Sequence, residues 1–373
     1  MARSATPLWL TSPTRFSSLR QPRARLALGL LVLLLLACLT ALNTAGPPPV
    51  SRDPAQRAND KADVLLYESI VAGLRNGGDY YPVTAAALRR GDYPLRPFVT
   101  FRLPTLALIE ASQPLIASIV MLYVLAAGVL LAWTIRLRPA FQRAPPLAIA
   151  MILLIAGMAA FVQVELVHFH EVWAGLLIAL SLALRRDDRW AHAVAFGLIA
   201  MLIRETAALY VLTMAALALL EGRRREAVSW AAALAVMVPV IAAHAWAVDR
   251  VVDSADPASP GWAGLLGFGF FVKTMSISTA LAIAPAWLSA ILVGLALFGW
   301  AAWPGTLARR ALATFVAYAV LLGLFGRVDT FYWGLMIAPA FLVGLAFAPD
   351  GLNDLIAAAM RDRRRVTVTR NVR

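Results

Sequence analysis

Charge is what this chain has least of. Of its 373 residues only 15% are Asp, Glu, Lys or Arg, and 61% are hydrophobic, whereas a soluble domain ordinarily carries about a quarter of its residues charged. That deficit excludes an ordinary water-soluble fold and leaves the lipid bilayer as the solvent. Cysteine is nearly absent too: Cys38 stands alone, inside an apolar run, so no intrachain disulfide can form. Missing as well are linkers that would divide the chain into soluble domains, and any internal repeat. The formal net charge of +13 would suit nucleic acid only if the basic residues formed one contiguous surface. Here the arginines fall in short clusters between apolar runs, so no nucleic-acid partner is expected and the clusters read as topology signals.

Long hydrophobic sequence, by contrast, is abundant. Ten apolar stretches lie near 26–43, 114–135, 145–164, 172–184, 190–203, 207–220, 227–248, 277–303, 311–325 and 332–348, and none contains an Asp, Glu, Lys or Arg. If the first runs outward, the inward-facing segments are 1–25, 136–144, 185–189, 221–226, 304–310 and 349–373. These hold 22 of the 34 basic residues and 7 of the 21 acidic ones, the asymmetry that the positive-inside rule describes. The expectation is an all-α, polytopic transmembrane bundle of about ten helices with a helical first outer loop and both termini in the cytoplasm. Residues 1–25 form a cytoplasmic tail, 26–348 the transmembrane domain with outer loop 44–112, and 349–373 a basic cytoplasmic tail near anionic lipid. The first apolar run continues past Cys38 to Leu42, which predicts an uncleaved signal anchor in the inner membrane.

Four runs, 172–184, 190–203, 207–220 and 311–325, are shorter than the roughly 20 residues that a helix needs to cross the hydrocarbon core. Their ends are expected below the membrane surface. Pro239, Pro285 and Pro339 mark expected kinks.

No ionisable carboxylate or guanidinium falls mid-span, which argues against a proton relay or a buried ion pathway. The polar residues gather instead in the outer segments. A helix is expected over about 60–75, capped by Asn59, with Asp60, Asp63 and Tyr67 aligned on one face by their spacing of three and four. Acidic residues in a first turn also complement the helix dipole, so alignment alone does not make them a site. Two turn-like loops follow, Gly77-Gly78-Asp79-Tyr80-Tyr81 and Gly91-Asp92-Tyr93-Pro94-Leu95-Arg96-Pro97, whose aromatic side chains suit sugar stacking. Glu165, His168, His170 and Glu171 have ligand chemistry, but no second cluster completes a metal shell, and neither a metal nor another cofactor is expected. Arg204-Glu205 closes two short runs, so its charge is expected within protein, where it needs a partner such as a carboxylate or a phosphate. Arg327, Asp329, Tyr332 and Trp333 form a further outer junction, and Lys273 lies near another.

Several of these stretches resemble a known group. Asp63-Val64-Leu65-Leu66-Tyr67, Gly78-Asp79-Tyr80-Tyr81, Tyr93-Pro94 and Leu103-Pro104-Thr105-Leu106-Ala107 resemble the GT-C superfamily of polytopic glycosyltransferases. The nearest likeness is to its polyprenol-phosphate-mannose-dependent mannosyltransferase branch. Trp173 to Leu180, Arg185-Arg186 and Gly197 to Arg204 extend the likeness, which covers about 45–220. The resemblance implies transfer of a sugar from a polyprenyl-phosphate donor to an acceptor hydroxyl on the outer face. It places Asp63, with Asp60 second, as the base, and Arg204 as the partner of the donor phosphate. His168 and His170 would orient the substrates, Tyr80 and Tyr81 would pack on a sugar ring, and Asp79, Arg96 and Glu205 would complete the binding set. The rival readings are a lipid or solute transporter, and a non-catalytic protein of envelope assembly.

Overall fold

The computed structural model describes residues 7–46 and 62–361. Among them the chain is helical throughout, the extended pairing being limited to the isolated bridges Leu10 to Phe141 and Arg96 to Ala258. Helices α1 (Gln21–Leu39), α2 (Ala62–Arg75), α3 (Tyr80–Arg90), α4 (Thr105–Ala111), α5 (Leu115–Leu137), α6 (Ala144–Gly157) and α7 (His170–Leu184) come first. They are followed by α8 (Ala191–Ile203), α9 (Ala208–Leu220), α10 (Arg224–Asp249), α11 (Gly267–Ile277), α12 (Ala286–Ala302) and α13 (Thr306–Phe325). A broken pair, Val328–Met336 and Ala338–Ala346, bends by 64°, and α14 (Ala348–Ala359) closes the described chain.

The bundle is apolar outside as well as inside. Leu30, Leu33, Ile116, Val124, Ile152 and Val238 are all exposed on helices whose other faces enter the core. Soluble proteins seldom show such continuous apolar exposure, and a bilayer accounts for it. Among the described residues four segments are long and apolar enough to cross a membrane by length and composition, Gln21–Asn43, Leu115–Ala140, Arg224–Asp249 and Thr306–Phe325, and the bent pair taken as one span makes a fifth.

The short runs have separate causes. Helix α7 has 15 residues, of which 14 are buried, so it is wrapped by other helices and needs no lipid-matched length. Helices α8 and α9 have 13 residues each and meet at a break around Arg204. The run 311–325, expected to be short, belongs to a helix of 20 residues. It extends past Arg309 and Arg310 because Arg310 is fully buried against Glu221 at 2.7 Å and Glu226 at 3.3 Å. Two expected spans are less regular than their hydropathy suggests. The run 277–303 breaks at a 3-10 turn, Ala280–Ile283, before Pro285 caps α12, and 332–348 falls across the bent pair with Pro339 just after the bend. Pro239, in contrast, lies within a continuous α10.

The segments between helices gather at two opposite ends. At one end Asp350 accepts hydrogen bonds from the backbone N–H groups of Leu8, Trp9 and Leu10 at 2.5, 3.0 and 3.2 Å. Asp354 accepts from the Thr14 N–H and hydroxyl, both at 2.8 Å. Beside them the Thr11 N–H donates to the Ala140 carbonyl, and Arg185 donates twice to Glu226 at 2.9 and 2.7 Å. Among the described residues, Arg15 also reaches the Gly305 carbonyl and Arg361 the Ser17 carbonyl at this end. At the other end Arg75 donates to the Glu110 and Gln113 carbonyls, both at 2.9 Å, Lys273 donates to the Thr44 carbonyl at 2.6 Å, and the Leu95 N–H donates to Pro257.

The first outer loop is more ordered than a single helix. Beyond α2, which matches the expected 60–75 closely, it contains α3 and α4. Gly77, at φ +85°, makes the turn between α2 and α3, a left-handed conformation that favours glycine.

Candidate functional site

The placement of α2 decides the site. Asp63, Tyr67 and Ile70 recur at helical spacing and turn one face of α2 into a cavity of about 240 Å³ at the end opposite the arginine clusters. Tyr80 and Thr84 of α3, Tyr93 and Pro94 of the following loop, Arg102, Trp262, Arg327, Asp329 and Tyr332 complete most of its wall.

Asp63 is held there by a hydrogen bond from the Tyr93 hydroxyl to its Oδ1 at 2.7 Å. Burial, then the bond to the Asp63 carboxylate, push the Tyr93 phenol well above its ordinary pKa, so Tyr93 stays a proton donor across the physiological range. Among the described residues, Tyr93 is the one hydrogen-bond donor to this carboxylate.

Arg102 forms the floor. Its Nε donates to the Tyr67 hydroxyl and its Nη2 to the Tyr332 hydroxyl, each at 3.2 Å, and Glu171 lies 3.8 Å away. At the rim Arg327 pairs with Asp329, donates to the Ser259 hydroxyl at 3.1 Å and lies 5.6 Å from the centre of the Trp262 ring. Two carboxylates, two guanidiniums, four tyrosines and a tryptophan therefore share one small cavity. Guanidinium groups match phosphate oxygens and aromatic faces match sugar rings, so the set suits a phosphorylated sugar.

Arg204, expected to face the donor phosphate, is not on the wall. It is buried behind it, its Nε 2.6 Å from Glu171 and its Nη1 against Glu205. Two carboxylates already answer its charge, which is what a buried guanidinium requires. Because Glu171 also lies near Arg102, a chain of alternating charges runs from Glu205 through Arg204 and Glu171 to the cavity floor. Glu205 belongs to this buried layer and not to the cavity wall.

The other expected residues divide between the cavity, the layer behind it and the surface. Tyr80 lines the cavity and donates its hydroxyl to the Arg102 carbonyl at 2.7 Å. Tyr81 points away, its hydroxyl 3.2 Å from His244 Nδ1. Asp79 is exposed as the N-cap of α3. His168 is buried, with its Nδ1 2.8 Å from Glu110, and His170 packs its ring 5.3 Å from that of Tyr67, so the Glu165 to Glu171 stretch does not converge on one point. Arg96 donates to the Asp256 carbonyl at 2.9 Å and lines a separate outer groove with Phe98 and Trp246. Asp60 lies outside the described residues. Among the described residues no three His, Cys, Asp or Glu side chains come together as metal ligands.

Trp262 of the cavity wall was missed by sequence reasoning, as was Arg102. Arg102 adjoins the Leu103-Pro104 stretch, but nothing in its local spacing separates it from the many other arginines. No family model, curated protein or solved structure matches the chain.

Proposed function

We propose that this protein is a membrane glycosyltransferase that moves a sugar from a polyprenyl-phosphate donor to an acceptor hydroxyl at the outer face of the cytoplasmic membrane. In this reading the chain crosses ten times with both termini inside. The observation that carries it is the meeting of Asp63 and Arg102 in one aromatic cavity at the end away from the arginine clusters. A carboxylate and a cation facing one space are the minimum equipment for displacing a lipid phosphate.

The Asp63 carboxylate takes the proton of the acceptor hydroxyl. That oxygen attacks the anomeric carbon as its bond to the donor phosphate oxygen breaks, and the configuration inverts. Negative charge gathers on the departing lipid phosphate, where Arg102 stabilises it with Arg327 as a second cation. Trp262 and Tyr80 line the space in which the sugar would sit. Hydrolysis of a glycoside usually needs a second carboxyl group to protonate the leaving oxygen, but a phosphate leaves without one. Arg102 thus replaces Arg204 as the phosphate partner, and Arg204 supports it through Glu171. Asp329 lines the same cavity but is held by Arg327, which leaves Asp63 as the base.

Asp63→Asn tests this directly. The variant should insert and purify like the parent yet lose transfer from a radiolabelled polyprenyl-phosphate sugar by about 10²- to 10⁴-fold, the usual contribution of a general base. Asp329→Asn should lose far less. Undiminished transfer by Asp63→Asn would remove the proposed base, and the reading with it.

A further inference from the structure

A long apolar groove starts beside Phe16, at the end of the bundle opposite the cavity, and runs along the outside of the bundle toward Phe268. Helix α1 contributes Ala27, Leu30 and Leu34, α12 contributes Leu297 and Phe298, and α13 contributes Leu312 and Val316; together with Phe16 and Phe268 they enclose about 360 Å³. Residues 27 to 34 alone extend the groove over about 10 Å of helix. Its walls carry almost no polar group, so one or more hydrocarbon chains complement them.

The mouth of the groove is charged. Arg15 sits one residue before Phe16, and its Nη1 and Nη2 donate to the Ala301 and Gly305 carbonyls at 3.5 and 3.2 Å. Ala301 is itself part of the groove wall, which fixes the guanidinium at the apolar edge. Among the described residues Arg15 has no carboxylate partner, whereas the fully buried Arg185 and Arg310 are paired with Glu226 and Glu221. Burial first, and the nearby Arg309 second, disfavour its charge. Arg309 is itself shared with Glu221 at 3.2 Å, so it adds positive potential without neutralising Arg15. A half-buried cation whose described partners are backbone carbonyls, at the opening of a hydrocarbon slot, is complementary to a headgroup that carries a negative charge above an acyl chain.

We infer that this groove is a specific site for one anionic glycerophospholipid of the inner leaflet, its phosphate on Arg15 and an acyl chain along α1, α12 and α13. The site fastens the strap of residues 8–20, already held by Asp350 and Asp354, to the membrane surface. It stands independently of the sugar-transfer reading, because it uses no residue of the outer cavity.

Native mass spectrometry of the delipidated full-length protein, re-supplied with dioleoylphosphatidylglycerol or dioleoylphosphatidylcholine, tests it. The parent should retain the anionic lipid about tenfold more strongly, the size of one charge-assisted contact. Arg15→Gln should abolish that preference, and Arg15→Lys should keep part of it. Ala301→Phe, which fills the groove, should lower retention of both lipids, whereas Arg186→Gln, at an exposed arginine of the same end, should change nothing. Equal retention of the two lipids by the parent would overturn the proposal, as would an Arg186→Gln effect matching that of Arg15→Gln. Displacement of phosphatidylglycerol by equimolar polyprenyl phosphate would overturn the choice of a glycerophospholipid.

Discussion

Arg102 does at the cavity floor what a lysine cannot. Its planar fork holds two phenols on different segments at once, Tyr67 on α2 and Tyr332 on the broken pair. An ammonium is a single point of charge and reaches only one such arrangement. On the proposed sugar-transfer reading, Arg102→Lys should keep the net charge yet lower kcat/KM for the polyprenyl-phosphate sugar by about tenfold to a hundredfold, the loss expected for hydrogen bonds to a charged group. Steady-state kinetics at saturating acceptor check this, and an unchanged value would make Arg102 a structural residue. The same comparison shows what was legible residue by residue. Asp63 and Tyr67 stood out because helical spacing alone puts them on one face. Arg204 stood out equally, as a charge between two short apolar runs, but the partner that neutralises it is Glu171 on another helix. No local pattern says whether a buried guanidinium will meet a carboxylate of its own protein or a phosphate from outside.

Among the elements, α7 organises the rest. It is buried on nearly all sides, and Gly175 lets the broken pair pass so closely that a Cβ there would meet the Leu335 backbone. Gly299 of α12 makes a similar approach to the backbone of Gly344. Small residues at helix crossings are the ordinary way membrane helices gain packing contacts, since lipid supplies no hydrophobic drive between them. A backbone carbonyl cannot turn aside as a flexible side chain can. Gly175→Val should accordingly destabilise the protein by about 1–3 kcal/mol, the usual cost of overpacking, and a thermal-shift measurement in detergent should show a lower Tm. An unaltered Tm would mean that the crossing is looser than described. Helix existence could be read from the apolar runs, but regularity could not. The run 332–348 has the composition of a span and yet bends, because its backbone follows the surface that α7 and α12 present.

At the scale of the molecule, described arginines of 185–189, 221–226 and 304–310 meet in one network, where Arg185 pairs with Glu226 and Arg309 and Arg310 with Glu221. The proposed topology assigns the end that holds this network to the cytoplasm. A single reporter checks it: with Cys38 replaced by Ala, cysteines introduced at the exposed positions Asp79 and Asp188 should behave oppositely toward a membrane-impermeant maleimide. In intact cells Asp79→Cys should label and Asp188→Cys should not, until the membrane is permeabilised. Labelling of both, or the reverse pattern, would place the cavity on the wrong side for an outer acceptor.

By itself the sequence determined the apolar, membrane-like composition of this protein, its helical class, and the face of α2 that carries Asp63 and Tyr67. Each of these follows from composition or from periodicity over a few turns, both local properties of the chain. Only the tertiary structure decided which charges face the cavity and which are buried behind it. Tyr93 reaching Asp63, Tyr332 reaching Arg102 and Glu171 reaching Arg204 are contacts between segments far apart along the chain, and packing, not spacing, brings them within hydrogen-bonding range.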